Sequence, residues 1–229
     1  VFQCDQNTIY DVYGGGNAAT VTGTDVTVYG GNSIGNVFGG CYGADVITGG
    51  TDVKIRGGKI GKVFGGNNHH GSITGNIKVD IDKQIEPGDG HTLCDMIIGE
   101  VYGGGNEAPS QAGAITIGCT GDIVPGANGH IAHPENIGTT LEGIGKVYGG
   151  ANILGFVDSI NLIMAHSATC VDEVYGAVFG CANAADYNRS VTTTIECNVG
   201  TIGELYGGSN QANIGTSGQN NADVTLNLY

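Results

Sequence analysis

The sequence predicts an all-β chain: a single right-handed parallel β-helix, or β-solenoid, of about 25–27 residues per coil, with inserted loops at one corner. Three observations carry this expectation. The motif Ile-Gly-x-Val-aromatic recurs along the whole chain. Between its copies, apolar residues fall at every second position. Glycine makes up 44 of 229 residues, yet it recurs in step with the motif, so the glycines read as corners and not as a flexible low-complexity tract.

The motif runs from Ile34 to Phe38, from Ile60 to Phe64, from Ile98 to Tyr102, from Ile144 to Tyr148 and from Ile202 to Tyr206. Looser copies end at Tyr13 and Phe179. Successive aromatics lie 25, 26, 38, 46, 31 and 27 residues apart, so three coils carry insertions on a basic length of 25–27. A unit this short buries its apolar side only against its neighbours, which makes residues 1–229 one continuous body. The strand pattern of its last residues, Val224 to Tyr229, leads us to expect a segment of a longer repeat protein. Each coil offers three short strands: the Val-aromatic stretch, a Val-Thr-Gly stretch, and a Val-x-Ile stretch such as Val53 to Ile55 or Val79 to Ile81. Period-2 alternation marks them as strands and the glycine-rich breaks as turns. Strand–crossover–strand connections favour the right hand.

Two columns of side chains follow from stacking the coils. Tyr13, Phe38, Phe64, Tyr102, Tyr148, Phe179 and Tyr206 form an aromatic ladder. Strict alternation from the inward valine points these rings outward. Seven exposed rings would make a very large apolar stripe, so a glycine-induced bulge that turns them inward, or packs them on an edge, is preferred. Four residues after the aromatic stand Asn17, Tyr42, Asn68, Asn106, Asn152, Asn183 and Asn210. Asparagine tolerates corner geometry, and stacked amides hydrogen-bond from coil to coil, so the six asparagines are expected to form a structural ladder.

The run Val12-Tyr13-Gly14-Gly15-Gly16-Asn17 followed by Val21-Thr22-Gly23 resembles the repeats of bacterial cell-surface parallel β-helix adhesins. The resemblance spans nearly the whole chain. It implies an extracellular or cell-surface, modular protein whose partners are glycans or host and cell-surface proteins, and it transfers no binding residue.

Function is expected on the insertions, at about residues 82–97, 119–143 and 164–174, which all follow the Val-x-Ile strand and so project from one corner. The candidate surface is Glu86, Asp89, His91, His130, His133 and Glu135. His130 and His133 have a metal-ligand spacing, but an irregular loop fixes no geometry, so no metal or cofactor is assigned. His69-His70 reads as an exposed turn. The Gly39 to Ile47 stretch imitates a calcium-binding nonapeptide once, without repetition, and Thr22, Thr48 and Thr74 align as an ice-binding column would, only to be lost in later coils.

Eight Lys+Arg against 22 Asp+Glu, net −14, disfavours nucleic acid and anionic membranes as partners. No apolar stretch is long enough to span a bilayer. Seven cysteines without a Cys-x-x-Cys pair leave disulfides and buried thiols both open. The reading is a non-catalytic extracellular structural or adhesive segment of a bacterial surface protein. The alternative is a carbohydrate-active β-helix enzyme, a polysaccharide lyase or hydrolase, whose acid and base carboxylates the sequence does not bring together. The apolar strand pattern of Val224 to Tyr229 adds an expectation of end-to-end self-association.

Overall fold

The computed structural model describes residues 7–46, 48–81, 94, 96–117, 143–155, 160–164, 174–196, 201–215 and 222–229. They build fourteen strands in two parallel sheets. The motif strands form the first sheet: β1 (Thr8–Tyr13), β3 (Ser33–Phe38), β5 (Gly58–Phe64), β7 (Met96–Tyr102), β9 (Gly143–Tyr148), β11 (Val174–Phe179) and β13 (Thr201–Tyr206). The second sheet stacks β2 (Thr24–Val28), β4 (Thr51–Ile55), β6 (Ile73–Ile81), β8 (Ser110–Ile117), β10 (Ile160–Met164), β12 (Val191–Ile195) and β14 (Val224–Leu228). Strands alternate between the sheets along the chain, so each strand pairs with its equivalent one coil on. This is a parallel β-solenoid.

The third strand expected in each coil is reduced. In its place stand single parallel bridges, Val21 to Val46, Val46 to Ile73 and Tyr187 to Ile214. The Val-Thr-Gly stretch turns too soon after its valine to extend a ladder, and in the third coil Ile73 opens β6 instead. The glycine at φ 84° in that coil, Gly71, holds a backbone that other residues rarely adopt.

The interior is filled from both sheets. Ile34, Val37, Ile60, Val63, Ile98 and Val101 meet Val26, Val28, Val53, Ile55, Val79 and Ile81 in one continuous cluster. Isoleucine and valine lie three residues apart within the motif, yet both point inward. The glycine between them resolves this: Ile34 pairs with Ile60 and Asn36 with Lys62, while Gly35 and Gly61 drop out of the register. A Cβ on Gly61 would lie 2.5 Å from the carbonyl oxygen of Gly35, so only glycine permits this close approach. The backbone thus kinks at this glycine, three residues before the aromatic, with the register unshifted, and beyond it ordinary alternation resumes.

Candidate functional site

Alternation places the aromatic ladder outside the interior, and its own packing buries it. The rings form a cluster separate from the core, together with Ala177, which stands in the column of Lys62, Glu100 and Lys146. Tyr102 donates its hydroxyl to Glu100, two residues earlier on the same side of the strand. Yet Phe38, Phe64, Tyr102 and Tyr148 are buried. Each ring is sandwiched between its neighbours, with centroids 4.6–4.9 Å apart and planes within 5–8° along the whole column from Tyr13 to Tyr206. That spacing is the strand repeat itself. Of the two arrangements expected, inward or packed on an edge, the rings take the second: they lie outside the Ile/Val core and form a buried cluster of their own, each ring stacked on the next.

The asparagine column flanks the rings. Asn106 donates to Asn68 at 3.0 Å, Asn152 to Asn106 at 2.8 Å, Asn183 to Asn152 at 2.8 Å and Asn210 to Asn183 at 2.9 Å. Asn68 ends the chain of amides by donating to the Tyr13 hydroxyl. Tyr42 separates Asn17 from this run, and Asn17 is exposed. Tyr42 instead packs edge-on against Tyr13.

The same corner carries the residues that follow each asparagine. The amide of His69 bonds to the carbonyl of Tyr42, that of Glu107 to Asn68, and that of Ile153 to Asn106, so these residues stack coil on coil. His69 and His70 stack with centroids 4.2 Å apart, Tyr42 lies 6.0 Å from His69, and His69 Nδ1 contacts Glu107 Oε2. Tyr42, Ile153 and Leu154 are exposed. Sequence reasoning named Tyr42 and His69-His70 but missed Glu107, Ile153 and Leu154. Their signal was positional: they occupy the one or two places after the asparagine column.

The insertion corner lies at the opposite ends of the strands. Ile81, Ile117 and Met164 occupy one column, so the three insertions depart from stacked positions. Glu86, Asp89, His91, His130, His133 and Glu135 lie outside the described residues. Among the described residues no group of three or more metal-ligating side chains converges. Cys41 and Cys181 are free and buried, and burial raises both thiol pKa values, which keeps them unreactive. Cys94 is disulfide-bonded.

On the outer face of the first sheet, Gly35, Gly61, Gly99 and Gly145 floor a shallow groove of about 570 Å³, edged by Asn36, Lys62, Glu100 and Lys146. Lys62 bonds Glu100 at 2.8 Å. Burial by itself would raise the Glu100 pKa, but bonds from Lys62 and Tyr102 and the charges of Lys62 and Lys146 outweigh it and hold the carboxyl below its usual range. A general acid needs the opposite shift. Glu100 is a bonded link in its column, held toward the ionised form, and the groove follows the row of glycines that leaves the outer face without side chains there.

No protein-family model, curated protein or solved structure matches the chain.

Proposed function

We propose that this chain is a non-catalytic extracellular structural or adhesive segment of a bacterial surface protein, able to assemble end to end. The observation that carries the reading is how the recurring side chains are used. Aromatic, asparagine and inward Ile/Val columns bond to their own equivalents in the next coil. What recurs in this sequence is what holds one coil on another, the requirement of a rod that presents other groups on its surface. The Cys94 disulfide agrees with an oxidising, extracellular setting.

Assembly rests on the sheet edges. β1 and β2 lie at one end of the two sheets and β13 and β14 at the other, each with a single strand partner. Ile9, Tyr206, Val224, Leu226 and Leu228 are exposed there, in columns that are buried in the middle coils. A second copy, or further coils of the same repeat, would cover them. Light scattering after size exclusion, with electron microscopy, tests this. Concentration-dependent oligomers or filaments are expected, and a monomer at every concentration overturns the assembly.

A further inference from the structure

We infer that the asparagine corner between Tyr42 and Leu154 is a docking strip for a cationic, apolar polypeptide segment. The inference rests on the adhesive reading and names the place and the chemistry of its partner. Three observations on described residues support it.

The first is where apolar surface is exposed. Apart from residues in the first and last coils, the exposed large hydrophobics among the described residues are Tyr42, Ile153 and Leu154, at 41%, 44% and 60% exposure. All three fall at this corner. With the stacked rings of His69 and His70 between them, they make one strip across four consecutive coils. Three strand spacings give it a length of about 14 Å, the span of about four extended residues. An aromatic and aliphatic centre beside polar side chains is the composition of a protein-binding surface.

The second is charge. The corner turns at 39–46, 65–73, 103–109, 149–155 and 180–187 contain no lysine or arginine, but they do contain Asp45, Glu107 and Asp186. Glu107 lies between the apolar ends of the strip and contacts His69. A partner with a lysine or arginine opposite Glu107, and apolar side chains on either side, matches this arrangement, and the net charge of −14 draws it in.

The third separates polypeptide from sugar. The ladder already engages one N–H and one oxygen lone pair of each of Asn106, Asn152 and Asn183, so part of the polar capacity that would recognise sugar hydroxyls is spent on the fold. Ile153 and Leu154 offer aliphatic surface and no hydrogen bond. The strip fits leucine-like side chains better than a hydroxylated ring.

The test uses the whole chain and two labelled probes, the heptapeptide Leu-Lys-Leu-Lys-Leu-Lys-Leu and its counterpart with Glu in place of Lys, followed by fluorescence anisotropy. The lysine peptide is expected to bind at least tenfold more tightly. Leu154→Ser and Tyr42→Ala are expected to weaken it at least tenfold, with thermal unfolding still cooperative. Thr192→Ala, on the exposed outer face of the second sheet, is expected to change binding less than twofold. Equal binding of both peptides, or an unchanged affinity in Leu154→Ser, overturns the inference. So does a glycan-array signal that Tyr42→Ala abolishes. A cell-binding assay separates the two levels. Wild-type binding that Leu154→Ser does not reduce removes the strip and keeps the adhesive reading. A chain that binds the lysine peptide through the strip but binds no cell keeps the strip and removes the adhesive reading.

Discussion

The two sheets share one solenoid but divide its work differently. Along the middle of the first sheet three columns barely change, isoleucine, then valine, then an aromatic ring, with glycine at the same kink, while the column of Asn36, Lys62, Glu100, Lys146 and Ala177 varies freely. The second sheet fills its inward column with Val26, Val53, Val79, Leu162 and Thr193, and its outward positions with residues as different as Asp52, Lys78, Asn161 and Thr192. Its polar contacts are local ones, such as Lys54 with Asp25 at 2.9 Å and Asp52 at 3.2 Å, or Arg56 with Asp80 at 2.9 Å. The difference teaches where register is specified. Rings and amides stack only when each coil repeats its predecessor, so the ring column of the first sheet and the amide column beside it tolerate little variation. Aliphatic packing in the second sheet needs only volume and the alternation of faces.

The strongest way to break this contrast is to remove a ring from the middle of the ladder. Phe64→Ala is expected to cost about 3–5 kcal/mol, since it opens a cavity and ends two stacking contacts at once. Denaturant titration measures it, and a cost below that of an Ile→Val change in the second sheet would dissolve the distinction.

The amide ladder comes next. Asn106→Ala orphans the acceptor of Asn68 and the donor of Asn152, for an expected loss of about 1–3 kcal/mol. Asn17→Ala, outside the run, is expected to stay within about 0.5 kcal/mol. Equal effects at both positions would show that the asparagines act through corner geometry and not through the ladder.

High pH probes the aromatic column without mutation. Burial, and then the charge of Glu100, push the Tyr148 phenol from 10.0 up to about 12. The folded state therefore favours the protonated phenol. Its contribution is complete below the unfolded pKa and is lost as pH rises from about 10 to about 12. Tyrosinate absorbance should then appear together with loss of β-sheet circular dichroism, and Tyr148→Phe should move this transition to higher pH.

The smallest expected effect lies in the second sheet and has the opposite sign. Thr193 stands fully buried in the valine and leucine column, and its hydroxyl lacks a partner. Thr193→Val is expected to raise stability by about 1 kcal/mol. A loss of stability on this substitution would mean that the hydroxyl is satisfied in solution.

The sequence by itself determined the solenoid, its repeat length, the two columns and the common departure point of the insertions. All of these depend only on the spacing of like residues along one chain, and a repeat writes its own register. Which way the rings faced was not written there. Alternation and burial gave opposite answers until the structure placed a kink at Gly35 and its equivalents, three residues before each ring, and stacked the rings in a cluster of their own. The break in the amide ladder was visible as Tyr42 in the asparagine column, but its consequence, a corner that turns from half-buried amides to exposed rings, was not. Ile153, Leu154 and Glu107 lay furthest from view. Each is an ordinary turn residue in the sequence, and they share a surface only because stacking sets residues tens of positions apart one strand spacing from each other. The tertiary structure decided which non-repeating side chains stand together, since their proximity depends on the coils on either side and on no pattern of their own.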